Sequence, residues 1–225
     1  LVGIGGSGMQ ALAEVLIGLG WRVSGSDLDA MAVQRLGKTG VRIHHGHGER
    51  HLARRTDLVV YSDAVAEDNP ELLQATAWQI PRLSYFEMAG RLTAERETLA
   101  VAGTHGKSTT TAMLGHLLTR AGFDPTVLCG AAPLGRCTGG RAGRSRLAVV
   151  EACEYRSHFL HLAPRHAAIL GIEPDHFDCF PQPEDAEEAF ERFAGSIPAD
   201  GLLLIPDQCA VSRRIADQLG CHVES

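Results

Sequence analysis

The sequence predicts an α/β protein built as two successive units: a Rossmann-like unit with a parallel sheet, then a phosphate-loop α/β unit that is incomplete. Three observations carry this expectation. Short apolar runs alternate with helical patterns along the whole chain, the signature of parallel strands covered by helices. Gly3-Ile-Gly-Gly-Ser-Gly8 follows the first apolar run and opens a helical pattern. Gly103-Thr-His-Gly-Lys-Ser108 stands in the same strand-to-helix context. The polar stretch Thr93-Ala-Glu-Arg-Glu-Thr98 reads as the joint, dividing residues 1–95 from 96–225.

Composition narrows the function classes. With 225 residues and 44% apolar content the chain can bury one large core or two modest ones. A net charge of −6 without a basic run argues against nucleic acid as a partner. No apolar stretch reaches the roughly 18–20 residues of a membrane helix. The six cysteines are scattered without a C-x-x-C pair, so reduced thiols in a cytoplasmic protein are expected. The chain opens directly into a strand with neither a Met nor a signal sequence, and its last residues enter another strand. A fragment of a longer protein is expected.

In the first unit, 2–5 reads as a strand and 7–19 as a helix with apolar residues at 9, 12, 15, 16 and 19, stopped by Gly20. A strand over 21–25 leads to Asp27, an acid about 20 residues after the glycines, where a dinucleotide fold holds a ribose hydroxyl. On this half alone the reading is a nucleotide binder of the NAD-dehydrogenase kind. A helix over 29–38 and a strand over 41–44 lead to the histidines 44, 45, 47 and 51. No cysteine or carboxylate completes a metal set with them at useful spacing. His47 lies at a strand's carboxyl end, where an open α/β sheet meets its ligand. A strand over 57–61 delivers Ser62 and Asp63 to that rim. Asp68-Asn-Pro70 caps a short helix, 80–83 is an extended edge segment, and Ser84-Tyr-Phe-Glu87 fits a capping box before a helix to about 95.

In the second unit, a buried strand over 98–102 meets the glycine loop. Free amides at the following helix start and the positive end of its dipole suit an anion. Lys107 would face β/γ-phosphates and Ser108 a Mg²⁺ ion. The longer Walker pattern would need a glycine where Val101 stands. A strand over 125–129 precedes 130–146, whose five glycines and four arginines predict a mobile, solvated loop. The run 147–150 delivers Glu151, placed as a phosphate-loop enzyme places a Mg²⁺ acid, with Glu154 in reserve. A strand over 167–172 ends at Glu173-Pro-Asp-His-Phe-Asp178, where His176 and the acids suggest a second cation site. A helix over 184–197 with Phe190 and Phe193 inward, a strand over 201–205 and a helix over 207–219 complete the pattern.

Six segments together resemble the Mur ligases: Gly3-Ile-Gly-Gly-Ser-Gly-Met9, Ser24-Gly-Ser-Asp27, Gly103-Thr-His-Gly-Lys-Ser-Thr109, Glu151-Ala-Cys-Glu-Tyr155, Phe159-Leu-His-Leu162 and Ile172-Glu-Pro-Asp-His176. The resemblance runs over essentially the whole chain and is greatest to the branch that joins L-alanine to UDP-N-acetylmuramate. It implies a cytoplasmic, three-domain enzyme of peptidoglycan synthesis, hence of cell-wall biogenesis, cell shape and division. This chain would hold the sugar-nucleotide domain and about half of the ATP domain. The amino-acid domain would be absent, and the fragment inactive. The lactyl carboxylate would attack the γ-phosphate of ATP, and the amine would displace phosphate from the acyl phosphate.

The resemblance also assigns residues. Gly103, Thr104, His105, Gly106, Lys107, Ser108 and Thr109 would bind ATP. Ser108 and Glu151 would hold one Mg²⁺, and His176 a second. Gly6, Ser7 and Gly8 would offer amides to the pyrophosphate, while Asp27, His47 and Ser62 would line the sugar-nucleotide cleft. Lys107, Glu151 and His176 are the expected catalytic set, in a monomer or weak homodimer. Where the family usually carries Thr-Asn, this chain has Leu170-Gly171, removing a polar side chain beside the expected metal site. Other readings are a sister ligase that adds a preformed peptide, or a sugar-nucleotide-binding module without catalysis. A dehydrogenase leaves Lys107, Glu151 and His176 without a role.

Overall fold

The computed structural model describes residues 1–37, 41–173, 175 and 177–225. The first residues do not extend into a full strand. Val2 makes single parallel bridges to Ser26 on one side and Tyr61 on the other, and Gly3 turns at once to φ +78°. Helix α1 (Ser7–Gly18) follows, with Leu12, Val15 and Leu16 buried. Strand β1 (Ser24–Asp27) lies three residues later than the pattern suggested. Trp21 is exposed, so its bulk marks the turn rather than a strand interior. After α2 (Ala30–Gly37) come β2 (Arg42–His45), β3 (Val59–Tyr61), α3 (Pro70–Ala77), β4 (Arg82–Ser84) and α4 (Tyr85–Thr93). β1 pairs parallel with β2, and β3 with β4. Through Val2 the spatial order becomes β2, β1, Val2, β3, β4, a doubly wound order with its switch at the glycine loop.

Local chemistry explains the helix starts. The Asn69 side chain accepts from the Glu71 amide (2.9 Å) and Pro70 occupies the first turn. Ser84 and Glu87 form the expected reciprocal capping box.

The second sheet runs β11-β10-β9-β5-β8-β6-β7 among the described strands. Its members are β5 (Glu97–Ala102), β6 (Thr126–Leu128), β7 (Gly140–Arg141), β8 (Leu147–Glu151), β9 (His166–Ile169), β10 (Leu202–Leu204) and β11 (His222–Glu224). Among the described pairings only β6–β7 is antiparallel. Helices α5 (Lys107–Arg120), α6 (Pro183–Gly195) and α7 (Ala210–Ala216) accompany it. Phe190 and Phe193 of α6 are fully buried against Phe159, as their spacing predicts.

One hydrophobic core passes through both halves. Met9, Leu12, Leu16 and Met88 belong to the same buried cluster as Ala100, Leu128, Val150, Phe159 and Ile169. The stretch 130–146 is the main departure from expectation. It is folded rather than loose: β7 pairs with β6, and Arg136 and Thr138 both engage Glu14 of α1. A Cβ at Gly140 would fall 2.1 Å from the Ala11 carbonyl oxygen. Glycine therefore lets this ribbon lie directly on α1. Arg141 binds Asp124, so its charge is satisfied inside the fold.

Candidate active site

Register places the site. Val101 of β5 lies opposite Glu151 of β8, and Ala102 opposite Ile169 of β9. Three parallel strands thus end together, and the glycine loop, Glu151 and the 170–173 segment emerge at one rim. β8 lies on one side of β5 and β9 on the other, which opens a crevice for a ligand there.

The loop is held by backbone geometry that only glycine accepts easily. Gly103 has φ +128°, and a Cβ there would lie 2.9 Å from the Leu170 nitrogen. Gly106 at φ +82° caps α5. Thr104 straps the loop to β9: its amide donates to the Gly171 carbonyl (3.0 Å), and its hydroxyl is bonded to the backbone of Glu173. Gly171, at φ +155°, therefore serves the site through its main chain where the family's Asn would offer a side chain. The first intrahelical bond of α5 runs from the Thr110 amide to Gly106 (3.0 Å). The amides of Lys107, Ser108 and Thr109 precede it and face the rim. His105 is exposed, 3.8 Å from the Glu173 carboxylate.

Two acid–base pairs complete the cradle. Lys107 Nζ donates to Glu154 (2.8 Å) and to the carbonyls of Gly103 (2.7 Å) and Thr104 (3.1 Å). Glu154, considered above as a spare cation ligand, is instead the buried counter-ion of this lysine. Ser108 Oγ donates to Glu151 (2.8 Å), whose other oxygen accepts from the Gly130 amide (2.6 Å). Among the described residues no cluster of three or more His, Cys, Asp or Glu can hold a metal. One carboxylate and one hydroxyl are a hard oxygen pair that suits Mg²⁺, which keeps most of its waters and is completed by phosphate oxygens. His176 lies outside the described residues.

The first glycine loop presents a different surface. Asp27 is turned onto it: its carboxylate accepts from the amides of Gly5 (2.6 Å) and Asp29 (2.8 Å). The Asp27 side chain thus holds the loop's shape, and a Cβ at Gly5 would strike it. Gly6 caps α1, whose first intrahelical bond is made by Gln10, leaving the amides of Ser7, Gly8 and Met9 at the helix start. Ser62 packs against Gly3 at the neighbouring strand end. His47 is mostly buried, within reach of Ser26 Oγ (3.1 Å) and Glu71 (3.3 Å). His51 also faces Glu71 and stacks on His44. A buried Glu71 organising these histidines was not legible in the sequence, although its place in the first turn of a capped helix is a signal in retrospect.

Side-chain contacts also join the two halves. His158 of the 3₁₀ segment Tyr155–His161 lies 3.4 Å from Asp63 at the β3 end and stacks on Phe86 of α4. Burial pushes His158 below its ordinary value, with His161 and Arg156 acting the same way and Asp63 opposing them. Arg156 and Ser157 hold left-handed backbone (φ 49° and 58°) just before His158.

These features agree with what the chain is similar to. A model of the Mur ligase family catalytic domain matches residues 1–97, and one of the Mur ligase middle domain matches 101–223. UDP-N-acetylmuramate–L-alanine ligase of Solidesulfovibrio magneticus is 42% identical over 91% of this chain and 45% of its own length. The enzyme of that name from Geobacter sp. strain M21 is 41% identical over 97% of this chain and 47% of its own. Among solved structures, UDP-N-acetylmuramate:L-alanyl-gamma-D-glutamyl-meso-diaminopimelate ligase from Neisseria meningitides superposes with a TM-score of 0.87 at 26% identity. The match covers 99% of this chain and 75% of that one. UDP-N-acetylmuramate-alanine ligase from Thermotoga maritima gives 0.83 at 28% identity, covering 95% and 50%. The chain spans about half the length of the curated relatives it matches. With both family models covering nearly all of it, the chain belongs to the Mur ligase family.

Proposed function

We propose that this chain forms the sugar-nucleotide and ATP-binding portion of a cytoplasmic, ATP-dependent ligase that joins L-alanine to the lactyl carboxylate of UDP-N-acetylmuramate. Residues 1–95 take the sugar nucleotide and 96–225 the phosphates of ATP. The observation that carries the reading is the meeting, at one sheet rim, of Lys107 and the Ser108–Glu151 pair with the helix-start amides of 107–109. That set neutralises a polyphosphate and positions it for attack. The roughly 40% identity to alanine ligases favours L-alanine as the amine.

In this mechanism the amides of Gly106 to Thr109 seat the phosphates. Lys107 leaves the carbonyls of Gly103 and Thr104 for the β/γ-oxygens while Glu154 keeps its charge balanced. Mg²⁺, held by Ser108 and Glu151, would offset charge on the transferring phosphoryl group. The amides of Gly6, Ser7 and Gly8 hold the sugar diphosphate, with Asp27 fixing their loop and His47 and Ser62 at the cleft edge. That orientation presents the lactyl carboxylate to the γ-phosphorus. The acyl phosphate then yields to the amine, releasing phosphate and leaving an amide.

The test is phosphate release by the longer protein that contains this chain. Release from ATP should require UDP-N-acetylmuramate and L-alanine together, and a preformed peptide should not replace the alanine. Release without the sugar nucleotide would sink the proposal. Efficient use of a peptide would move the protein to the sister activity.

A further inference from the structure

Tyr85 has no part in the reading above, yet it stands between the two loops. It is the first residue of α4, fixed by the Ser84–Glu87 capping box and packed edge-on against Phe86 (4.9 Å). Phe86 is stacked in turn on His158 from the other half (3.8 Å). The Tyr85 ring covers the start of α1. A Cβ at Gly8 would lie 3.1 Å from Cζ and 3.3 Å from the phenol oxygen. Glycine at position 8 thus leaves room for this ring as well as for a ligand. Among the described residues the phenol makes no hydrogen bond; the residue is partly buried and close enough to feel the charge of Glu151. Burial, seconded by Glu151, drives its pKa upward, so the group keeps its proton and can only act as a neutral donor or acceptor.

A hydroxyl that no described protein group engages, placed beside the free amides of Ser7, Gly8 and Met9, gains an acceptor when that helix start holds an anion. We propose that Tyr85 is a ligand-contacting residue: its O–H donates to a diphosphate oxygen of the nucleotide sugar seated on those amides. This rests on the reading of residues 1–95 as the sugar-nucleotide site. The phenol supplements the amides with a directional bond on the side of the cleft nearest Glu151. In that position it also holds the diphosphate apart from the Glu151 charge.

Titration calorimetry on the 225-residue chain tests this with UDP-N-acetylmuramate, UDP, uridine and ATP. Removing only the hydroxyl with Tyr85→Phe should weaken UDP-N-acetylmuramate and UDP about tenfold each, the size of a lost bond to a charged acceptor. Uridine should bind both proteins alike, and ATP affinity should hold within about twofold, which also certifies that the variant is folded. Equal UDP affinity in the two proteins overturns the role of Tyr85 and leaves the sugar-nucleotide reading intact. Loss for UDP-N-acetylmuramate with UDP unchanged also overturns it, moving the contact to the sugar or its carboxylate. Failure of the unaltered chain to bind any uridine nucleotide overturns the sugar-nucleotide reading itself, and this proposal with it.

Discussion

The two glycine loops of this protein start from the same plan and solve different electrostatic problems. Each opens a helix after a parallel-paired segment, the single bridged residue Val2 in one case and β5 in the other, so each offers unpaired amides to an anion. Around Gly3–Gly8 an acid, Asp27, is drawn onto the loop's own backbone, and among the described residues no lysine or arginine bonds to the loop. Around Gly103–Ser108 the loop carries a lysine, and that lysine is balanced by Glu154, a buried acid just beyond the end of β8, the strand paired with β5. Under the function proposed above, the first cradle would hold a diphosphate without changing it. The second would let the lysine pass from the carbonyls of Gly103 and Thr104 to phosphate, as a group-transfer step requires.

Lys107→Ala attacks the side of this comparison with most at stake. Phosphate release in the longer protein should fall about a thousandfold, as when a principal electrostatic stabiliser is removed. The 225-residue chain should also lose about 3 kcal/mol in urea unfolding, because Glu154 is left buried without its cation. Adding Glu154→Gln should recover part of the stability and none of the release. Gly103→Ala comes next: positive φ and the close Leu170 nitrogen predict a loss of about 2–3 kcal/mol in the same assay. Asp27→Ala breaks the quieter loop and should cost about 1.5 kcal/mol, the value of a charge-assisted bond, while ATP affinity is retained. A parallel loss of ATP binding would show that the loops are not separate devices.

The smallest effect concerns the contact between the halves. His158 in the folded protein titrates below its ordinary value of 6.5, chiefly through burial, so the unfolded chain takes the proton first. Its contribution is therefore complete above about pH 6.5 and is lost as pH falls from there through the lower folded value. His158→Phe should flatten the acid side of the stability profile in pH-dependent unfolding. An unchanged profile would remove His158 from the contact.

Much of this arrangement was legible in the residues. Ser84 with Glu87, and Asn69 with Pro70, announce helix starts because capping is a local hydrogen-bond problem solved within four residues. Phe190 and Phe193 point inward because helical periodicity alone sets their face. The glycine loops are visible because the required backbone excludes most side chains. The segment 130–146 was misread for the opposite reason. Its glycines signal flexibility when taken alone, but they serve the close approach of β7 to α1, a neighbour more than 100 residues away in sequence.

By itself, then, the sequence determined the alternation of strands and helices, the capped helix starts and the two glycine turns in order, since those depend on short-range periodicity and backbone sterics. Tertiary structure alone decided which charges meet. Glu154 and not Glu151 faces Lys107, Asp27 closes on Gly5, Glu71 gathers the histidines, and Tyr85 reaches Gly8. Strand register and helix crossing set those distances, and a shift of one residue along a strand turns a side chain to the opposite face of its sheet.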